Sequence, residues 1–540
     1  MTFSPSCGPA KFSAPPCSYL NGSPMESPPA EEARTQESVF AFLADPLAHP
    51  GLRRIDTHAA SVFLEGGRAL KIKRAVRFPF LDYSTLAKRK AACEEELRIN
   101  RPFAPQIYRR VVAITRERDG SLCIDGNGTP VEFAVEMTRF DERQTIDHLA
   151  ESGPLDSALV DAMAGAIAAS HEVVPRAPEK PWVDSISGLI EGYTQAFRDA
   201  ACFPSDDIEA LGKASQSAFS RLRGLLELRG AQGHVRRCHG DLHLANIVVI
   251  EGKPVLFDAI EFDERIASID VLYDLAFPLM DFLRCGRQAA ANTLLNRYLA
   301  ITPDDNLDAL AALPLFMSMR AAIRAHVMLA RSTADKAKNA EAARSYFDLA
   351  IELIHPPRPT LAVIGGLSGT GKSVLARGLA PVVAPQPGAV VLRSDVLRKQ
   401  LFGVGETDRL PAHAYQPEVS ERVYEELMRR AIRVLAQGHS VVADAVFAHE
   451  AERAAIRQAA RQADVRFAGV FLIADLASRQ NRVGSRRPDA SDATPEVAGL
   501  QETYNIGTID WKIIDASGPP EATLGHCQTW IADLGSAEDV

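Results

Sequence analysis

The alternation of apolar and polar positions changes character once along this chain, near residue 356. Apolar periodicity begins near Val39. Residues 61–64 and 68–73 then read as two short strands around a Gly66–Gly67 turn. Residues 86–100 have helical spacing and carry the acidic cluster 94–96; further strand-like runs follow at 107–115 and 131–137. From 155 to about 229 the pattern is helical and alanine-rich, from 235 to 262 it is strand and loop, and it is helical again to 354. Pro356, Pro357 and Pro359 end that helix, because proline lacks the amide donor and disfavours helix in the residue before it. Beyond them the texture is alternating strand and helix. The apolar run 360–364 enters a glycine-rich turn, a helix starts at Lys372, and short apolar strands recur at 390–392, 440–443 and 470–473. Such alternation predicts a parallel sheet flanked by helices.

At 540 residues the chain exceeds one ordinary domain, and 46% hydrophobic with 24% charged residues is a globular composition. A net charge of −9 argues against a dedicated nucleic-acid binder. The eight cysteines include no close pair, which fits ordinary thiols in a reducing cytoplasm better than a disulfide frame or a zinc site. No apolar run approaches the roughly 18 residues of a membrane span. Residues 1–37, rich in serine, proline and alanine, read as a disordered tail and not as a signal peptide.

Two segments carry chemistry. The first in strength is GLSGTGKS, residues 366–373, a complete phosphate-binding loop between a strand and a helix. Its backbone at Gly366, Ser368, Gly369, Thr370 and Gly371 can wrap phosphates at a helix N-terminus, with Lys372 supplying a cation and the Ser373 hydroxyl a ligand for Mg²⁺. After the next strand, Asp395 and Arg398 stand three residues apart at a strand-to-helix turn. The carboxylate can take a proton from an attacking hydroxyl and the guanidinium can hold an anionic acceptor; a helix cap is the plain competing role for the Asp. Asp444 ends another strand, as a metal-shell or acceptor contact or as a cap. Arg479, Arg482, Arg486 and Arg487 precede a Pro/Asp/Ser loop and suit a lid over transferring phosphate, or else a solvated basic face. Ala445 follows Asp444 where a hydrolytic motor would carry a glutamate.

The second segment is HGDLHLAN, residues 239–246, followed by a strand, a Gly252 turn and Asp258. Phosphoryl transfer needs a carboxylate near the acceptor hydroxyl and oxygen ligands for Mg²⁺. Asp241 fits the first role, and Asn246 and Asp258 the second. Zinc ligation by His239 and His243 lacks further ligands at suitable spacing.

Residues 39–354 resemble the aminoglycoside and choline phosphotransferases, relatives of protein kinases, in the HxDxxxxN segment and in the later run Asp270–Asp274. Residues 360–518 resemble the small P-loop kinases that include gluconate kinase, adenylylsulfate kinase, chloramphenicol phosphotransferase and polynucleotide 5′-kinase. The first resemblance implies Asp241 as the catalytic carboxylate, Asn246 and Asp258 as metal ligands, and Asp274 as a residue that caps a helix or holds the loop. It also implies a lysine on the third strand paired with a helix glutamate. Lys71 and Lys73 share that strand face, and Lys71 is preferred because Ala69 leaves room for adenine; Glu96 is preferred over Glu95. The aromatic stretch around Phe78, Phe80 and Tyr83 is a substrate wall or a packing plug. The second resemblance implies Asp395 at the acceptor hydroxyl, Arg398 as an acceptor contact, and Arg482 or Arg486 in the lid.

The expected fold is an α+β kinase-like domain at 38–355, with a β-rich small lobe and a helical large lobe. A linker at 356–359 leads to an α/β P-loop domain with a parallel sheet at 360–540. The expected function is ATP- and Mg²⁺-dependent phosphoryl transfer to small hydroxyl acceptors at two sites, in the cytoplasm and off the membrane. The competing expectations are a nucleotide-binding regulator with one catalytic half, and a nucleic-acid 5′-end kinase in the P-loop half.

Overall fold

The computed structural model describes residues 30–47, 49–78, 81–330, 336–485 and 489–538. They fall into two compact units, one of Met1–Arg287 with Leu315–His355 and one of Gln288–Pro314 with Pro356–Val540.

In the first unit, helix α1 (Ala30–Leu43) precedes an antiparallel sheet of β1 (Arg53–Asp56), β2 (Ala60–Glu65), β3 (Arg68–Lys73), β4 (Tyr108–Arg116), β5 (Leu122–Ile124) and β6 (Thr129–Thr138). Among the described residues the strand order is β1-β2-β3-β6-β4-β5. The β2–β3 hairpin closes through Gly66 at φ 53°, a left-handed turn conformation that glycine adopts without steric penalty. Its register sets Lys71 opposite Val62 and, on the other side, Val135. The two-residue period of the strands then gives the sheet two apolar faces. Val62, Leu64, Ala69 and Val135 pack with Cys93 and Phe257, while Phe63, Leu70, Ile72 and Val112 pack with Val39, Phe40 and Leu43 of α1. Residues 30–37 therefore belong to a packed helix and not to the expected tail. They are held there because the buried Gln36 amide donates to the Lys73 carbonyl at 2.9 Å and accepts from Ala75 N at 2.8 Å. Residues 1–29 lie outside the described ones.

Helix α2 (Leu86–Asn100) packs on the inner sheet face, with Cys93, Glu96 and Asn100 buried. The hairpin β7 (Ile247–Ile250) and β8 (Lys253–Leu256) leads from the 239–246 segment toward Asp258. Around it stand long helices, among them α3 (Val271–Arg284), buried along nearly all of its length.

The second unit includes helix α4 (Gln288–Ile301), which lies before α5 (Leu313–Ala330) in the chain. The sequence boundary at 355–360 did not anticipate that residues 288–314 pack here. Its sheet joins β9 (Thr360–Gly366), β10 (Val390–Arg393), β11 (Val441–Asp444), β12 (Arg466–Ile473) and β13 (Lys512–Asp515). Among the described residues these strands are all parallel, in the order β10-β11-β9-β12-β13, so the phosphate-loop strand is central and β10 is an edge. Two asparagines of α4 meet that edge. The Asn292 amide donates to the Ala389 carbonyl at 3.0 Å, and Asn296 Oδ1 accepts from Val391 N at 2.7 Å. Among the described residues no helix is long and apolar enough to cross a membrane.

Candidate active sites

In the first unit the loop at 239–246 is held from below by α3. Asp274, fully buried, accepts from the amides of His239 at 3.2 Å and Gly240 at 3.0 Å, and sits 3.2 Å from His171 Nε2. Burial pushes the Asp274 carboxyl up, but the His171 bond and the charges around it outweigh this and hold it below the usual range. Asp281, one helix turn pair further on, accepts from Leu244 N at 3.2 Å. Gly240 has φ 81°, and a Cβ there would stand 3.0 Å from Ile260, so both backbone shape and space favour glycine. His239 bonds the Phe257 carbonyl at 2.8 Å and takes the Asp241 amide at 3.3 Å, a scaffolding role and not zinc ligation. The loop so braced presents a buried Asp241, whose backbone and carboxylate both accept from Asn246 Nδ2, at 2.9 and 3.3 Å.

The two lysines of β3 share Glu96 and differ in their second partner. Lys71 Nζ lies 2.8 Å from Glu96 Oε1 and 2.6 Å from Asp258 Oδ1. Lys73 Nζ lies 2.7 Å from Glu96 Oε2 and also pairs with Glu261. Glu95 instead turns to Arg98 at 2.6 Å. Burial alone would neutralise these groups. For Lys71 the charges of Asp258 and Glu96 outweigh burial and raise it; for Glu96 the charges of Lys71 and Lys73 outweigh burial and lower it to about 2. Asp258 stands at φ 63°, a left-handed conformation stored in the site, with its amide donating to the Tyr108 hydroxyl at 3.1 Å. The cleft above is lined by Ala69, Lys71, Met137, Phe140, Asn246 and Asp258. Asn246 spends its Nδ2 on Asp241, so its carbonyl oxygen and the Asp258 carboxylate are the hard oxygen donors that suit Mg²⁺. Tyr83 packs with Leu81 and Phe78 in a small apolar cluster, the packing role of the two expected; Phe80 lies outside the described residues.

In the second unit the phosphate loop runs from β9 into helix α6 (Lys372–Leu379), with Gly369 and Gly371 at φ 86° and 94°. A Cβ on Gly369 would stand 2.5 Å from the Arg479 carbonyl oxygen. Thr370 is buried and bonds the Leu367 carbonyl at 2.8 Å, and Lys372 Nζ reaches the same carbonyl at 3.1 Å. Ser373 Oγ donates to Asp444 Oδ2 at 2.6 Å, which places a carboxylate behind the hydroxyl that would ligate Mg²⁺. Asp395 starts helix α7 (Ser394–Leu401) and faces the same cleft as Lys372 and Ser373. Burial, and then the negative charge of Asp444, raise its carboxyl above the ordinary range against the pull of Lys372 and Arg393. Arg398 also lines the cleft; its guanidinium donates to the Ala414 carbonyl at 2.6 Å and lies 5.0 Å over the Tyr415 ring.

Arg482 does not come to this cleft. Its guanidinium donates to the Ser517 and Gly518 carbonyls at 3.1 Å, because the helix that carries it points that face toward the end of β13. Arg486 lies outside the described residues. Arg479 is buried and bonds the Ala498 carbonyl at 3.3 Å, a structural position. The cations that do stand by the loop are Arg393, 3.2 Å from Ser373 Oγ and 3.3 Å from Asp444, and Arg377, 3.6 Å from Asp489. Sequence reasoning passed over them, and over Gln501, which accepts from Ser368 N at 2.6 Å and donates to Ser368 Oγ at 3.0 Å. The only available signal for Arg393 was its place at the strand end beside Asp395.

The chain matches two family models, the first of which runs past Arg287 into residues that pack in the second unit. Residues 54–313 match the profile of the phosphotransferase enzyme family, and residues 361–503 match a profile described as an AAA domain. An uncharacterized protein of Mycobacterium tuberculosis (strain ATCC 25618 / H37Rv) is 29% identical over 487 residues, 87% of this chain and 93% of its own length. Among solved structures, a gluconokinase from Sinorhizobium meliloti 1021 is 21% identical over 33% of this chain and 95% of its own, with a TM-score of 0.25. A choline/ethanolamine kinase family protein from Mesorhizobium loti is 14% identical over 59% of this chain and 98% of its own, with a TM-score of 0.31.

Proposed function

We propose that this chain, which joins a phosphotransferase-family domain to a P-loop kinase-like domain, transfers the γ-phosphate of ATP to hydroxyl acceptors at two separate sites. One observation carries the reading: each unit gathers its own carboxylate for an acceptor, cation for phosphates and oxygen donors for a metal. In the first these are Asp241, Lys71 with Glu96, and Asn246 with Asp258. In the second they are Asp395, Lys372 and Ser373 backed by Asp444.

At either site the acceptor oxygen bonds to the γ-phosphorus, its proton passes to Asp241 or Asp395, and the bond from that phosphorus to the bridging oxygen breaks to release ADP. Bound Mg²⁺ supplies charge neutralisation at the phosphates. The chain's own part is orientation. Asp274 and Asp281 fix the Asp241 loop, Glu96 aims Lys71, and the phosphate-loop amides with Lys372 hold the nucleotide opposite Asp395. The raised Asp395 carboxyl is a better proton acceptor than an ordinary aspartate once ionised. The acceptors we propose are small hydroxyl compounds in the cytoplasm.

The test is transfer of γ-labelled phosphate from ATP into a small-metabolite pool by the full chain, by Asp241→Ala, by Lys372→Ala and by the double variant. Each single substitution should remove a different set of labelled products. Undiminished labelling by the double variant would sink the proposal.

A further inference from the structure

Lys73 has no place in the mechanism above, yet it is among the most enclosed charges in the chain. Its exposure is 2%, its ammonium is 2.7 Å from Glu96 Oε2, and it pairs with Glu261. Glu96 is fully buried and the Glu261 side chain is 7% exposed. Lys73 also sits 5.5 Å over the ring of Tyr83, whose hydroxyl donates to Glu261 at 3.3 Å. Lys71 lines the nucleotide cleft and Lys73 does not. One glutamate thus serves two lysines, one oxygen to each, and only one of those lysines faces the cleft.

The three partners come from three elements: Lys73 from β3, Glu96 from α2, and Glu261 from the segment that carries Asp258. Lys71 joins the same three elements through Glu96 and Asp258, but its tie is conditional. A triphosphate that draws Lys71, with a cation that takes Asp258, competes for both ends of the 2.6 Å bond between them. A carboxylate as buried as Glu96 stays ionised and in place only beside a cation, and cationic Lys73 remains beside it whatever Lys71 does.

We infer that Lys73 is a positioning residue, which, through Glu96 and Glu261, holds helix α2 and the Asp258 segment in register with β3 while Lys71 and Asp258 exchange each other for nucleotide and metal. The inference rests on the ATP reading of this cleft. It makes the paired carboxylates a fixed frame and Lys71 the moving part.

The experiment measures binding of a fluorescent ATP analogue, with and without Mg²⁺, to the full chain in a Lys372→Ala background that silences the P-loop site. Lys73→Met/Glu261→Gln removes a cation and an anion together, so in the unliganded site Glu96 keeps Lys71 and no buried charge is orphaned. Its Mg²⁺-dependent gain in affinity should fall about 10- to 100-fold, the scale seen when groups that orient metal ligands are removed. Metal-free binding should stay within roughly threefold of the background, and Lys73→Arg should keep most of the Mg²⁺ gain, because the cation is retained. A merely structural role would lower both affinities together, and that result overturns the inference. So does a double variant with its Mg²⁺ gain intact while Lys71→Met loses it. No analogue binding in the Lys372→Ala background itself would overturn the ATP reading, which is a separate failure visible before any Lys73 variant is compared.

Discussion

The two units gather their candidate phosphate-site residues in opposite ways. In the P-loop unit the phosphate-binding groups are consecutive, residues 366–373, and Lys372 rests on a backbone carbonyl of its own loop. In the kinase-like unit Lys71 meets Glu96 across 25 residues and Asp258 across 187, and Lys71, Lys73, Glu96, Asp258 and Glu261 are buried charges paired among themselves. A contiguous loop needs only local geometry to be competent. A distributed site is competent only when the lobes around it are folded, so its charges also serve as fasteners. The difference predicts that function and stability separate cleanly at the P-loop and are entangled at the lysine cluster.

The largest effects should fall on the acceptor carboxylates. Asp241→Asn and Asp395→Asn should each lower transfer at their own site by about 10²–10⁴-fold, with the other site unchanged; the check is product-resolved labelling. A single substitution that silences both sites would break the two-site comparison. Next in size, Asp274→Ala strands the amides of His239 and Gly240 and the buried Arg320. Urea unfolding should show a loss of about 3–5 kcal/mol in the first unit, and transfer through Asp241 should vanish with it.

A third prediction concerns pH. Burial and then Asp444 raise the Asp395 carboxyl, so the folded chain binds its proton more tightly than the unfolded chain does. Ionising Asp395 therefore removes stability as pH rises from the ordinary carboxylate range through the raised value, and above it that stability stays lost. Asp395→Asn should raise the melting midpoint of the second unit at neutral pH, read by thermal unfolding, although it lowers transfer there. The acid limb of the wild-type rate profile at this site should lie above the usual aspartate range, and an acid limb at the ordinary value would contradict the burial argument. The smallest effect is at Gln501, whose amide occupies Ser368 N. Gln501→Ala should leave that donor to the nucleotide and tighten binding by about fivefold, one hydrogen bond's worth, as read by calorimetry.

What the sequence made legible follows from the same contrast. GLSGTGKS and HGDLHLAN were readable because their chemistry is encoded in spacing along the chain, and the strand-to-helix turn at Asp395 was readable beside them. Both kinase-like lysines were visible, since a two-residue period puts them on one strand face. Their different duties depend on where α2 delivers Glu96, which no local pattern records. Glu95 and Glu96 differ by one step of helix rotation, enough to send one to Arg98 and the other into the core. Arg393, at the end of β10, left only its place beside Asp395 as a signal, and Asp489 and Gln501 left none, because single polar residues acquire meaning only from what folds against them. Arg482 was misplaced for the converse reason: a basic cluster shows charge but not the direction in which a helix turns it.

The asparagines of α4 bear on how this protein can be divided. Strand β10 is a sheet edge, and Asn292 and Asn296, more than ninety residues upstream, supply side-chain amides where a neighbouring strand's backbone would be. A fragment cut at the proline cluster would carry a complete phosphate loop and still show that edge bare, as a template for pairing with other copies of itself. Such a fragment should be sticky before it is inactive. The proline cluster is thus not the place to divide this chain, because helix α4, well upstream of it, is part of the casing of the second unit.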